Sequence, residues 1–192
     1  MMIEEAIQSR ASVKVFAPDP VDPAIIQRCL EAAVWAPNHH MTEPWRFTVI
    51  AGDGPRAAIA GAVQDEMMQR AHGTDIALMQ AKAVKERQKL YSAPVIVAVY
   101  SVKGKDDHET RENFAATAAA CQNILLMAHS FGLGSIWRTS TIYDFPQVRQ
   151  ILQVDEHALF VASVFLGYSA QRLVKRRRTE ASTLTTWLTH SV

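Results

Sequence analysis

The segment that most constrains the fold runs from Asn113 to Phe131 and contains no Asp, Glu, Lys or Arg. It is rich in alanine, and Gly132 follows it directly as a typical helix C-cap. A helix that is apolar on all sides has to be buried. The sequence therefore predicts a long interior helix, and we expect a second copy of the chain to cover part of it in an obligate dimer.

Strands and helices are predicted on both sides of this helix. Strong strand patterns cover Trp45 to Ile50, Pro94 to Tyr100 and Leu159 to Tyr168, and a shorter one covers Gly134 to Arg138. The Pro94 to Tyr100 run is continuously apolar, which indicates a strand covered on both faces. Further helices are predicted over the following ranges: Ile3 to Gln8, Pro23 to about Trp35 after an Asp22 cap, 54 to 90 with a break at 72 to 74, and Pro146 to Leu152. Strands separated by helices indicate an α/β or α+β protein in which helices predominate.

Composition narrows the class of protein. With 192 residues, 48% of them hydrophobic, the chain is expected to form one domain over residues 1–192. The two cysteines are too few for a disulfide scaffold and are compatible with the cytoplasm, and the acidic N-terminus is unlike a signal peptide. No apolar run reaches the length of a membrane span. The net charge of +1 argues against a dedicated nucleic-acid binder.

Common catalytic and binding motifs are absent from the sequence. There is no phosphate-binding loop of the Walker type, and Trp137 stands where a dinucleotide fingerprint beginning at Gly132 requires glycine. His39, His40 and Glu43 are close in sequence but lack the spacing of metal ligands, so no metal site is predicted. No Gly-x-Ser-x-Gly elbow of a serine hydrolase occurs.

Three polar segments remain as candidates for a site. Arg10, Ser12 and Lys14 alternate, so an extended backbone would place two cations and a hydroxyl on one face, as an anion grip requires. The second segment, 36 to 47, is a proline-bounded loop with two histidines, and the third, 132 to 141, ends in a Trp, an Arg and three hydroxyls. Each also has a plain structural interpretation: an edge strand with ordinary charges, a rigid turn, and a buried Trp beside an exposed Arg.

Four segments, taken in order, carry a family resemblance. They are Ser9 to Phe16, Asp22 to Phe47, Gly132 to Ser135, and Ala162 to Tyr168. Together they resemble the nitroreductase family of FMN-dependent oxidoreductases, with its Arg-Arg-Ser-x-Arg-x-Phe opening, its Ala-Pro and Gln-Pro-Trp-x-Phe loop, its Gly-Leu-Gly-Ser run and its last core strand ending in Leu-Gly-Tyr. The resemblance covers most of the chain apart from about residues 52 to 90.

Within this family the chain is most similar to the small NAD(P)H nitroreductase subgroup. That subgroup carries Ala-Pro-Asp-His, then Gln-Pro-Trp, and later Trp-Arg-Ser; the equivalents here are Ala36 to His39, Glu43 to Trp45, and Trp137 to Thr139. Glu43 departs from the family Gln and brings a carboxyl group to the cofactor loop. The resemblance implies an α+β fold of the nitroreductase type, with an antiparallel-dominated central sheet wrapped by helices. It also implies a homodimer with two FMN sites at the subunit interface.

The resemblance also assigns cofactor contacts at the N-terminal segment and in the basic tail. Arg10, Ala11 and Ser12 are expected to hold the ribityl and phosphate end of FMN. Lys14 is expected at the pyrimidine side of the ring, where its charge would stabilise the anionic reduced flavin. In the tail, Arg176 and Arg178 best match the family's late phosphate-binding cations; a solvated run of charge is the alternative there.

The remaining expected contacts come from the loop and from the segment after the glycines. Trp35 and His39 match positions that touch the flavin from the partner subunit. Trp137, Arg138 and Thr139 are expected to line the ring and the approach to the phosphate. No catalytic side chain is assigned, because the flavin carries the redox step.

The implied activity is a ping-pong transfer of hydride from NADH or NADPH through FMN to a nitroaromatic or quinone-type acceptor. The sequence does not select one nucleotide or name the physiological acceptor. One alternative keeps the fold and FMN but changes the reaction to dehalogenation, flavin cleavage or oxidation of a ring intermediate. A more distant alternative is a nucleic-acid-associated protein that uses the basic tail, Arg172 to Arg178; steep salt dependence of binding would be its mark.

Overall fold

The computed structural model of the chain describes residues 2–71, 75–173 and 177–189. Its strands are β1 (Trp45–Ala51), β2 (Val95–Ser101), β3 (Gly134–Arg138) and β4 (Leu159–Gly167). Its α-helices are α1 (Ile3–Ser9), α2 (Pro23–Ala33), α3 (Asp53–Arg70), α4 (Ile76–Leu90), α5 (Asp107–Ser130) and α6 (Pro146–Ile151). Short 3-10 turns cover His39–Met41, Thr141–Asp144 and Ala181–Leu184. The predicted break between α3 and α4 falls on residues 72–74, outside the described residues.

The four strands form one antiparallel sheet in the order β1-β2-β4-β3. β2 is buried along its whole length, which confirms the prediction made from its continuous apolar run. Helices α2 and α5 share one apolar core with the sheet, and residues of α3 and α6 contribute to a second core that includes other sheet residues. The structure is therefore α+β, with an antiparallel sheet between helices, as expected from the resemblance.

Helix α5 begins six residues earlier than predicted, at Asp107 instead of Asn113. The Asp106 carboxylate accepts a hydrogen bond from the Glu109 backbone N–H at 2.8 Å and caps the helix. Residues 107 to 112 are polar and either exposed or half-buried, so their composition resembles that of a solvated loop. The start predicted at Asn113 was therefore too late.

The burial predicted for α5 is confirmed for one stripe of the helix. The buried positions are Asn113, Ala116, Thr117, Ala120, Cys121, Ile124, Leu125 and Ala128. They pack on the sheet and on α2 within the same chain, so a partner subunit is not needed to cover them. On another side of α5, Phe114 remains 39% exposed, and Ala118 and Ala119 are only partly buried.

The segment after α1 crosses the end of the sheet and is held there by close contacts. Ser12 forms a parallel bridge with Ser135 of β3, and Phe16 forms an antiparallel bridge with Ser169. The Val13 side chain is fully buried against Gly134, where an added Cβ would lie 2.6 Å from Val13 Cγ2. Glycine at 134 therefore lets the N-terminal segment lie directly on the sheet.

None of the helices in residues 2–71, 75–173 and 177–189 has the length and apolar character needed to cross a membrane.

Candidate functional site

A cavity of about 620 Å³ lies between the end of α1 and the C-terminal tail. It is lined by Ile7, Gln8, Ser9, Arg10, Ala11, Ser12, Arg177, Arg178 and Glu180. The fold therefore brings together three of the expected N-terminal cofactor contacts, Arg10, Ala11 and Ser12, and one predicted tail cation, Arg178. Arg176, the other predicted tail cation, lies outside the described residues.

Arg10 and Arg178, two of the three arginines that line this cavity, bring like charges close together. Partial burial and the nearby positive charge of Arg178 together lower the pKa of Arg10. Glu180 also lines the cavity, but within the described residues it forms no ion pair with Arg10 or Arg178. An anion bound between Arg10 and Arg178 would relieve their repulsion, so the cavity is suited to a phosphate or carboxylate.

The root of the tail is fixed to the N-terminal segment by one amide side chain. The Gln171 carboxamide oxygen accepts hydrogen bonds from the backbone N–H groups of Lys14 and Val15, both at 2.9 Å. The Ala170 N–H donates to the Val15 carbonyl at 3.0 Å. These bonds explain how a tail without a clear sequence pattern returns to Arg10. The sequence analysis did not identify Gln171, because nothing local in its sequence indicates a contact with residues 156 positions away.

Lys14, the third residue of the predicted anion grip, does not line this cavity. The Lys14 side chain is exposed, and so are the neighbouring residues Ser12 and Val15, while Val13 between them is buried. The alternation predicted for this segment thus holds from Ser12 to Lys14. Lys14 is free to reach a ligand that extends beyond the cavity.

The loop with the two histidines is held against the start of α5 by hydrogen bonds. His39 Nδ1 lies 2.9 Å from Glu112 Oε2, and Thr42 Oγ1 donates to Asn113 Oδ1 at 2.9 Å. The hydrogen bond from His39 is the main cause that lowers the pKa of Glu112. The rings of His39 and His40 stack with their centroids 3.8 Å apart. His39 therefore has a defined orientation although its side chain is 56% exposed.

The same loop contains an unusual concentration of strained backbone. His40, Met41 and Glu43 have φ angles of 51°, 54° and 40°, in the left-handed region that favours glycine. The Glu43 N–H donates to Asn38 Oδ1 at 3.0 Å, which offsets part of the strain. Strain of this kind persists where the surrounding structure enforces it, and it is frequent at functional sites.

Trp35 lies just beyond α2 and is 85% exposed. Its indole ring is therefore accessible to a ligand or to a second subunit. Neither Trp35 nor His39 lines the Arg10 cavity of its own chain. Their placement is compatible with the expected contact to a site in a partner subunit, and that contact stays a prediction.

The Trp137 to Thr139 segment is divided between the two faces of the sheet. Trp137 packs against the core formed with α2 and α5, whereas the Arg138 guanidinium lies over the Phe165 ring, 4.6 Å from its centroid, on the opposite face. Arg138 and Thr139 line a small separate cavity of about 30 Å³. In this structure they do not join Arg10, and their expected contact with FMN stays a prediction.

Two further features concern what the site can bind. The Ser135 hydroxyl, beside Ser12, is buried and has no hydrogen-bond partner within the described residues. Such an orphaned group is expected where a ligand or a water molecule completes the site. The described ranges contain no group of three His, Cys, Asp or Glu side chains arranged to hold a metal ion.

Comparison with known proteins agrees with the family resemblance found in the sequence. The family model described as Nitroreductase family matches residues 7–168. The chain is 27% identical over 178 residues to "Putative NAD(P)H nitroreductase YfhC" of Bacillus subtilis, which covers 93% of this chain and 90% of that protein. None of the helices or motifs described above conflicts with this match.

Two solved structures extend the similarity to the fold. A nitroreductase-like family protein from Bacillus cereus is 25% identical, has a TM-score of 0.83 and covers 99% of this chain and 97% of its own. A protein from Desulfovibrio desulfuricans, described as a "putative nitroreductase in complex with fmn", is also 25% identical, with a TM-score of 0.67; the match covers 100% of this chain and 98% of that one.

Proposed function

This chain belongs to the nitroreductase family of oxidoreductases, and we propose that it uses FMN to pass hydride from NADH or NADPH to a nitroaromatic or quinone-type acceptor. Membership confirms the resemblance found in the sequence and the α+β fold that it implied. We propose the nicotinamide nucleotide because this chain is similar to YfhC, and we propose FMN because it is similar to the Desulfovibrio protein. The cytoplasmic location stays a prediction.

The observation that carries the proposal is the meeting of Arg10 and Arg178 at one cavity. The phosphate of FMN carries close to two negative charges at neutral pH and has three acceptor oxygens, which suits two guanidinium forks. The chain has no Gly-rich dinucleotide fingerprint to hold the pyrophosphate of FAD. The residues of the cavity therefore fit a flavin mononucleotide.

The protein residues bind and orient the cofactor in this proposal. Arg10 and Arg178 hold the phosphate, Ala11 and Ser12 lie against the ribityl chain, and the exposed Lys14 extends toward the ring. When it is bound, FMN supplies the hydride chemistry, which no side chain of the chain can provide. A positive charge held at Lys14 favours the negative charge that the ring carries after reduction.

We also propose that the site is completed by a second copy of the chain. Trp35 and His39 then contact the flavin of the partner, which accounts for the exposure of Trp35 and for the rigid, strained loop that orients His39. The partly exposed side of α5, with Phe114, Ala118 and Ala119, would form part of the interface. Two FMN sites per homodimer follow from this arrangement.

The first prediction concerns the identity of the cofactor. Purified protein is expected to be yellow, with flavin absorption bands, because a cavity that binds the phosphate should retain FMN during purification. Heat-released cofactor should co-elute with FMN on reversed-phase chromatography. A cofactor that elutes as FAD would contradict the phosphate-end assignment of the Arg10 cavity.

The reaction class is tested separately, by steady-state oxidation of NADH and of NADPH. A nitroaromatic or a quinone should restore nucleotide oxidation under anaerobic conditions. If neither NADH nor NADPH reduces the bound flavin rapidly, the result would instead favour one of the alternative flavin reactions, namely dehalogenation, flavin cleavage or oxidation of a ring intermediate.

The second prediction concerns assembly. Ala118→Glu should convert a dimer at micromolar concentration into a monomer and should lower flavin retention at the same time, because an unpaired charge buried at an interface is costly. Light scattering and the ratio of flavin to protein absorbance measure the two effects. Ala81→Glu, at an exposed position of α4, is the matched control and should leave both unchanged. A wild-type monomer that holds stoichiometric flavin would disprove the proposed interface.

A further inference from the structure

We propose that His129 is a proton-linked component of the anion site, so that a phosphate group bound at Arg10 and Arg178 makes the His129 imidazole take up a proton. Ser9 connects the anion site to His129, since it lines the cavity and also contacts the His129 ring. The inference rests on the proposed function only for the identity of the natural ligand, FMN. Neither Ser9 nor His129 belongs to the cofactor contacts implied by the family resemblance.

The hydrogen bonds at Ser9 fix which ring nitrogen carries a proton. Ser9 Oγ donates its single proton to the Glu5 carbonyl at 2.6 Å, and it lies 2.8 Å from His129 Nε2. Because the hydroxyl proton is already used, the bond to the ring requires Nε2–H as the donor. Nε2 is therefore protonated in both charge states of His129, and Nδ1 is the nitrogen that gains or loses the proton.

The charges around the ring come from two directions. Partial burial and the positive charge of Arg10 lower the pKa of His129. The carboxylate of Glu5, which lies one turn before Ser9 on α1, raises it. His129 itself lies in the last turn of α5, where the helix dipole favours a cation. Arg178, in the C-terminal tail, places a second positive charge close to Arg10. The neutral imidazole is thus maintained in part by an arginine whose charge a ligand can offset.

A bound phosphate changes this balance in one direction. Its negative charge offsets that of Arg10, so the imidazolium form becomes less unfavourable and the pKa of His129 rises. By linkage, a ligand that raises a pKa binds more tightly below that pKa than above it. A rise of about half a unit to one unit would make binding tighter at pH 5.5 than at pH 8 by up to about 3- to 10-fold, apart from the titration of the phosphate itself.

The direct test is an NMR titration of the histidine ring protons in three states: flavin-free protein, protein with FMN, and protein with riboflavin. The His129 signal is assigned by its absence in His129→Gln. We expect its pKa to rise by about half a unit to one unit with FMN and to stay unchanged with riboflavin, which lacks the phosphate. An equal rise with both ligands, or no rise with FMN, would overturn the proposal.

Inorganic phosphate separates this inference from the proposed function. If the protein binds no FMN, the proposed function fails, but saturating inorganic phosphate should still raise the pKa of His129. If phosphate leaves the His129 signal unchanged while it shifts backbone signals of Arg10 to Ser12, the anion site exists without proton linkage and the inference is wrong.

Variants give a second, independent readout. His129→Gln keeps an N–H donor for Ser9 but cannot titrate in this range, so the ratio of FMN dissociation constants at pH 8 and pH 5.5 should be smaller than in the wild type, by up to about 3- to 10-fold. The second ionisation of the phosphate, near pH 6, affects both proteins equally and cancels in the comparison. His157→Gln, at an exposed position in the turn before β4, should retain the wild-type ratio. Equal ratios in all three proteins would contradict the role of His129.

Discussion

Arg10→Ala is expected to weaken FMN binding by about 10- to 150-fold, given about 1.5–3 kcal/mol for a charged hydrogen bond and 1.4 kcal/mol per tenfold change. Arg10 follows α1 directly, and its backbone N–H donates to the Ala6 carbonyl at 3.1 Å. Two residues later, Ser12 is bridged to β3. The arginine is thus held on both sides before a ligand arrives, and little ordering entropy is lost when it binds.

Arg178→Ala is expected to have a smaller effect. Arg178 is exposed and lies beyond Gln171, whose hydrogen bonds fix the root of the tail, and the neighbouring Arg177 can replace part of its charge. A loop cation of this kind loses more conformational freedom on binding. The sequence analysis expected both arginines at the phosphate, and the order of their effects remains to be measured.

Titration of FMN into flavin-free variants at one salt concentration measures this order. Arg10→Lys keeps the charge but loses the planar fork, so its affinity should fall between those of the wild type and Arg10→Ala. Arg87→Ala, an exposed arginine on α4, is the control for loss of one positive charge. A larger loss for Arg178→Ala than for Arg10→Ala would make the tail the main phosphate-binding element.

Features with a local pattern could be predicted from the sequence. All four strands were placed within one residue at either end, because apolar and β-branched runs carry their own signal. The Asp22 cap and Pro23 mark the start of α2 correctly for the same reason. The family motifs then supplied the fold class that these elements alone left open between α/β and α+β.

Features that depend on distant partners could not be predicted in this way. Gln171 is fixed by contacts with residues 156 and 157 positions away, and Ser9 meets His129 across 120 positions. The separation of Trp137 from Arg138 is different, since adjacent residues of a strand point to opposite faces and period two alone would have revealed it. The resemblance treated these neighbours as one lining, whereas their strand geometry divides them.

Gly134→Ala is expected to destabilise the fold by about 1–3 kcal/mol, as overpacking of a filled core does, and to lower FMN affinity as well. The new Cβ would lie 2.6 Å from Val13 Cγ2 and 3.0 Å from Val13 Cβ. Val13 cannot easily turn away, because it is β-branched, fully buried and bonded through its N–H to the Ser135 carbonyl at 3.0 Å. Relief of the contact therefore moves residues 12 and 13 away from β3 and displaces the anion grip.

Urea unfolding of the flavin-free protein at fixed concentration measures the loss of stability, and an FMN titration measures the loss of affinity. Gly61→Ala is the control, since Gly61 lies inside α3 with nothing within 4 Å of an added Cβ; this change should stabilise the helix by up to about 1 kcal/mol. Adding Val13→Ala to Gly134→Ala removes the two methyl groups nearest the new Cβ. The double variant should therefore lose less than the sum of the two single losses. Strictly additive losses would show that the contact between the N-terminal segment and β3 is not what positions Arg10 and Ser12.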